Sequence, residues 1–192
     1  MIADIGGYTR FMSLHRTSLA HAEATTARLL KKVVDAARGF ELVEIEGDAA
    51  FLFRESSADD DAIVETAARA AVAMHRAFHG EQNRVASNMC PCKACDLMGD
   101  LTLKFVAHVG EVATQKIKRR SKLVGIDVIH VHRMLKNPVP VPEYVLVSEE
   151  LYRAAGPSAL PEPVHEIEQE LEGIGPARGY FVEVDPSPPM TV

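Results

Sequence analysis

Apolar residues recur along this chain at two periods, and where the period changes a turn residue marks the join. Residues 2–5 are a short apolar run closed by Gly6-Gly7, which predicts a strand followed by a tight turn. Over residues 21–38, Ala27, Leu30, Val33, Val34 and Ala37 fall at helical spacing, with Gly39 as the stop. Residues 40–45 and 49–53 are β-rich and joined by Glu46-Gly47-Asp48, which predicts a hairpin with Asp48 at its tip. Asp59, Asp60 and Asp61 precede Ile63, Ala67, Ala70, Met74 and Phe78. That acidic start suits the helix dipole and opens a second amphipathic helix, expected to end near Gly80.

Residues 81–99 keep no sustained period and carry Cys90, Cys92 and Cys95, so they predict a long inserted surface loop. Leu101, Leu103, Phe105 and Ala107 then alternate with Thr102, Lys104, Val106 and His108, a strand ending at Gly110 with residues 112–117 as its hairpin partner. A helix over 127–135, a proline-rich break over 137–142, a strand at 144–147 and a short helix at 149–154 follow. Residues 164–171 and 179–184 predict a terminal strand pair, and 185–192 a loose tail. No internal repeat is present. Hairpins interleaved with helices predict an α+β fold, mostly antiparallel sheet with helices packed on it, as one domain over residues 1–184.

Composition narrows the class. A chain of 192 residues with 47% hydrophobic and 25% charged residues suits a single buried core. Its apolar runs fall short of the ~20 residues of a spanning helix, and no signal-peptide pattern opens it. The three cysteines form one tight cluster, as expected of a reduced compartment, so the reading is cytoplasmic, with no membrane partner. A net charge of −6 argues against nucleic acid as a partner. Because strand pattern begins at once, whether more chain lies upstream of Met1 stays open.

Candidate chemistry starts with Asp4, two residues ahead of Gly6-Gly7, and Asp48, directly after Gly47. Mg²⁺ takes one or two carboxylates together with waters and phosphates, and glycine turns let backbone N–H groups approach phosphate oxygens. Acidic residues also cap turns routinely, so both roles remain open for this pair. Cys90, Cys92 and Cys95 supply three soft ligands, one short of a tetrahedral zinc set. A fourth would come from His79, His108, Asp96 or another subunit; a redox role and unliganded thiols are the alternatives. His75 and His79 stand at i, i+4, but with no third ligand on that helix a solvated helix edge is the favoured reading. His130 and His132 read as packing or surface residues, with phosphate contact as the alternative. Lys116, Lys118, Arg119, Arg120 and Lys122 form one basic stretch, either a solvated hairpin or a contact for a triphosphate or an acidic partner. Neither a Gly-x-Ser-x-Gly elbow nor a Walker phosphate loop occurs.

Taken together, four motifs carry a resemblance. Ile2-Ala3-Asp4-Ile5-Gly6-Gly7-Tyr8-Thr9 resembles the opening motif of class III adenylate and guanylate cyclases, and Glu44-Ile45-Glu46-Gly47-Asp48-Ala49 their second metal motif. His108-Val109-Gly110-Glu111-Val112 is similar to their glycine-bearing strand, and residues 125–134 to their helix motif with its arginine at Arg133. The order is kept over residues 1–148. Residues 121–137 and the Cys-x-Cys-x-x-Cys loop look closest to a bacterial branch of cyclase-homology proteins.

The resemblance implies a ferredoxin-like class III nucleotidyl cyclase fold, with Asp4 and Asp48 as ligands of Mg²⁺ or Mn²⁺. It implies Gly6, Gly7, Tyr8 and Thr9 in nucleotide binding, Arg133 as the catalytic arginine, and a homodimer whose sites draw on both chains. Three positions depart from it. Glu44 stands where a base-selecting lysine is usual, Lys122 where an acid or small polar residue is usual, and Ile129 where an asparagine orients the ribose. Loss of one orienting donor typically costs ~10²–10³ in rate, whereas Glu44 and Lys122 form either a new base-reading pair or a salt bridge. The expected function is an atypical or degenerate nucleotidyl cyclase-like protein binding a nucleoside triphosphate through divalent metal. The alternative is a non-catalytic regulatory module that binds nucleotide and metal, with the cysteine loop as a structural zinc site.

Overall fold

Ala3 and Ile5 turn to one side of the first strand and Ile2 and Asp4 to the other, and the whole sheet keeps that division. A computed structural model describes residues 1–14, 19–57, 62–87, 97–118, 120–155 and 160–185. Its strands are β1 (Ile2–Gly6), β2 (Glu41–Glu46), β3 (Ala49–Phe53), β4 (Thr102–Ala107), β5 (Ala113–Ile117), β6 (Arg120–Val124), β7 (Tyr144–Ser148), β8 (His165–Leu171) and β9 (Gly175–Glu183). The helices are α1 (Tyr8–Leu14), α2 (Leu19–Ala36), α3 (Ile63–Ser87), α4 (Ile126–Arg133) and α5 (Glu149–Ala155), with a 3₁₀ turn over Leu97–Asp100.

Seven strands form one sheet in the order β2-β3-β1-β4-β7-β9-β8, antiparallel except for the β4–β7 pair. The fold is therefore the α+β class expected, mostly antiparallel with helices packed on it. On one face Ala3, Leu52, Phe105 and Val145 meet Leu29 and Val33 of α2 and Met74 and Phe78 of α3. On the other, Ile2, Phe51, Val106 and Leu146 are covered by Val131 and Met134 of α4 and its end. Among the described residues no helix is long and apolar enough to cross a membrane.

Four expectations need correction. Residues 112–117 do not pair with β4: both edges of β4 are taken, by β1 and by β7, so β5 pairs with β6 in a separate two-stranded sheet. Helix α3 does not stop near Gly80 but runs on to Ser87. The extra two turns are held by tertiary contacts that outweigh the glycine's propensity cost of about 1 kcal/mol. Gln82 Nε2 donates to Met98 O at 2.7 Å and Leu101 O at 2.8 Å, and the buried Glu81 is paired with Arg28 at 2.8 Å and Arg84 at 2.6 Å. Residues 81–99 are thus not one loop, since helix and a 3₁₀ turn occupy both ends. Finally, β9 starts at Gly175 rather than 179, because Pro176 and Ala177 continue the ladder opposite Glu170 and Gln169.

Candidate functional site

The face opposite α2 and α3 carries the sequence's acidic pair. Asp4 lies in register with Ala49 on one side and Lys104 on the other, and Lys104 Nζ approaches Asp4 Oδ2 at 3.2 Å. Asp48 sits in the β2–β3 turn behind Gly47, whose φ of 66° suits glycine, and Ile5 N donates to Asp48 O at 3.2 Å. That bond fixes the turn against β1. Burial pushes the Asp48 carboxyl above the ordinary carboxylate range, and the negative charge of Asp4 adds to this; its own backbone N–H and Lys104 act in the opposite direction. Two carboxyls close enough to repel are a fitting oxygen donor set for Mg²⁺ or Mn²⁺, which would relieve the repulsion.

Gly6 and Gly7 close β1 for steric reasons. A Cβ on Gly6 would run into Thr102 Oγ1 on the neighbouring strand, and Gly7 has φ 82°. Its carbonyl accepts from Phe11 N at 3.0 Å, which starts α1. Tyr8 packs its ring on the helix-side core, while Thr9 is exposed.

A second feature lies nearby on the same face. Glu44, Lys122, Ile129 and Arg133 all line a cavity of about 370 Å³, with Phe51 and His132 in its walls. Thus the two charge-exchanged positions, the substituted asparagine position and the arginine meet in one place. His132 is held there by Val128 O at 2.7 Å and Glu46 at 3.0 Å, with its ring edge-on to Phe51. Arg133 Nη1 donates to Glu172 Oε2 at 2.7 Å. Asp4 and Asp48 do not line this cavity, so the carboxylate pair and the cavity are separate features of one chain.

The motif around His108 has a structural role that spacing did not reveal. His108 Nε2 lies 3.0 Å from Asp127 Oδ1 and Nδ1 lies 2.8 Å from Ser148 Oγ, while Glu111 N donates to Asp127 Oδ2 at 2.8 Å. Gly110 is required because a Cβ there would collide with the Asp127 side chain. His130 stacks on His108 with ring centroids 4.1 Å apart. Its imidazole is held below the ordinary value by burial and by the neighbouring His108, against the pull of Glu150 and Asp127.

Two further groups were missed. Lys104, the partner of Asp4, is one polar position on an alternating strand and carries no signal of its own. His75, read as part of a solvated edge, is fully buried at 0% exposure and faces Glu143, a residue far along the chain. Cys90, Cys92 and Cys95 lie outside the described residues.

Among known proteins, the chain is 37% identical over 161 residues to "Uncharacterized protein Rv2561/Rv2562" of Mycobacterium tuberculosis, covering 82% of this chain and 73% of that one. The structure is similar to that of the guanylyl cyclase Cya2, with a TM-score of 0.68 at 19% identity over 94% of this chain and 88% of that one. It is also similar to a class III adenylyl cyclase-like ATP-binding protein from Pseudomonas aeruginosa, with a TM-score of 0.63 at 19% identity. That match covers 81% of this chain and 34% of the other. These likenesses identify the fold as that of class III cyclase catalytic domains. A family model described as "Protein of unknown function (DUF2652)" matches residues 26–144, and the chain belongs to that family.

Proposed function

We propose that this chain binds a nucleoside triphosphate through Mg²⁺ or Mn²⁺ held by Asp4 and Asp48, in a homodimer that brings the carboxylates of one chain to the cavity of the other. The carrying observation is the convergence of Asp4 and Asp48 at the end of β1, close enough for one to raise the other's proton affinity. The homodimer is supported by exposed apolar residues, Ile45, Ile126 and Ile129. The β5–β6 hairpin adds to this: β5 is exposed along its whole length, a strand surface that gains from a partner. A cyclase-like neighbour of similar fold bears the name of an ATP-binding protein, which is consistent with binding.

Binding is not followed by efficient cyclisation. Ile129 offers no hydrogen-bond donor at the ribose-orienting position, and Arg133, the cation available for the phosphates, is engaged by Glu172. Cys90, Cys92 and Cys95 act separately as three ligands of a structural zinc, on the strength of their spacing.

Purified protein with Mn²⁺ and ATP or GTP tests this. A nucleotide- and metal-dependent rise in Tm, removed by Asp4→Ala, with little cyclic product, is the expected result. No shift at saturating nucleotide and Mn²⁺ would defeat the binding proposal, and rapid cyclic product would defeat its non-catalytic half.

A further inference from the structure

His75 and His79 are one helical turn apart on α3 and so point the same way. Glu143 reaches them from the segment just ahead of β7. Its position is set by the β4–β7 pairing, and Leu103 N of β4 donates to Glu143 Oε1 at 2.9 Å. His79 Nε2 lies 2.8 Å from Glu143 Oε1 and His75 Nε2 lies 3.1 Å from Oε2. The two Nε2 atoms are themselves 3.2 Å apart, with the rings 62° from coplanar.

These contacts are satisfied without metal when each ring donates its Nε2–H to its own oxygen of an ionised Glu143. Deprotonated at Nε2, the same two imidazoles and the carboxylate form a compact donor set. A cation at the centre accepts lone pairs from all three at once. The 3.2 Å between the two nitrogens is close to the edge of about 3.3 Å that Zn–N distances of about 2.0–2.1 Å give in a tetrahedron, and each nitrogen has its own oxygen of Glu143 within 3.1 Å, so the carboxylate faces the ion with both oxygens.

We propose that His75, His79 and Glu143 bind zinc, at a site apart from Asp4 and Asp48. Two imidazoles with one carboxylate favour a borderline cation over Mg²⁺, which prefers oxygen throughout. The Leu103 N–H orients the carboxylate, as outer partners of metal ligands do. Among the described residues His75 Nδ1 has no protein partner, and the cavity of about 200 Å³ that His75 lines has room for a water to accept its proton. His79, 19% exposed, lies on the side open to solvent, where the ion enters and a water completes the coordination. The bound ion ties the helix layer to the β4–β7 junction on the face of the sheet opposite the carboxylate pair.

The test uses the full chain carrying Cys90→Ser, Cys92→Ser and Cys95→Ser, so that the thiols take up no metal. After stripping with a chelator, Zn²⁺ is titrated against a chromophoric competitor and Co²⁺ is followed by its visible spectrum. One equivalent should bind and raise Tm, with Co²⁺ bands lacking any thiolate charge transfer. His79→Gln should weaken binding at least tenfold while Asp4→Ala leaves it unchanged. Should His79→Gln fail to fold, the stoichiometry and Co²⁺ spectrum of the parent chain decide alone. Absence of a bound equivalent, or equal affinity in folded His79→Gln, overturns the proposal; loss of nucleotide binding alone does not bear on it.

Discussion

Arg133 and Glu172 form an ion pair at 2.7 Å, which joins the end of α4 to the turn between β8 and β9. The arginine is 39% exposed and the glutamate 78%, so the pair is worth little to stability yet occupies the cation a phosphate would need. Glu172→Ala is expected to leave Tm almost unchanged and to tighten triphosphate binding in Mn²⁺ up to about fivefold, since exposed pairs are worth ~0.2–1 kcal/mol. A calorimetric titration of both proteins checks this; weaker binding by the variant would show that Glu172 positions the arginine instead of withholding it.

Asp48 should trade stability against binding. Burial, with the charge of Asp4 beside it, disfavours its ionised form, so Asp48→Asn removes a penalty present in the metal-free protein. Its Tm should rise by about 1–3 °C, the size of shift that up to 1 kcal/mol gives in a domain of this length, while the Mn²⁺-dependent nucleotide shift disappears. A fall in the metal-free Tm would mean that the carboxylate is stabilising where it stands.

Base choice follows from the cavity that Glu44 and Lys122 share. A carboxylate accepts from N–H donors and an ammonium donates to a carbonyl, which matches the donors and O6 acceptor of guanine. GTP should therefore bind more tightly than ATP, by about tenfold, and Glu44→Ala should erase most of the difference. Competition binding with a fluorescent GTP analogue measures it, and tighter binding of ATP to the native chain would refute the assignment.

The stacked His108–His130 pair predicts an acid-sensitive domain. His130 is held neutral in the fold, below its ordinary value of 6.5, so between its folded and unfolded values the unfolded chain carries the extra proton. Stability is then full above 6.5 and lost as the pH falls through the folded value. Melting curves of native protein and His130→Asn from pH 8 to 5 should show the steeper acid decline in the native chain; parallel curves would remove His130 as the cause.

Local signals were legible and long-range ones were not. Gly47-Asp48 announced its turn because the left-handed φ is a property of one residue, and the periodicity of Leu30 and Val33 marked a helix that does pack on the sheet. The partner of β5 was misjudged because pairing is a competition: the sequence cannot show that β7, nearly forty residues on, claims the edge of β4. Gly80 misled for a related reason, since contacts from Gln82 to Met98 and Leu101 override its local preference. Glu143 is separated from His79 by 64 positions, so the third member of that cluster was invisible from the helix that carries the other two. The four motifs located the carboxylates and the cavity lining, but not Lys104 or Glu172, which belong to no motif.

The pairing of β2 with β3 slips by one residue between Leu42 and Glu44, so that Leu42 stands opposite Leu52 while Glu44 stands opposite Phe51. Strand parity is binary, and this bulge works as a frameshift in the sheet: Val43 and Glu44 both reach the cavity side, whereas strict alternation would have placed them on opposite faces. The strand is thereby divided into two reading frames. Length changes on the Glu41 side can be absorbed at the slip, but one inserted residue between Glu44 and Phe51 would turn Glu44 to the wrong face and leave Lys122 without its counterpart.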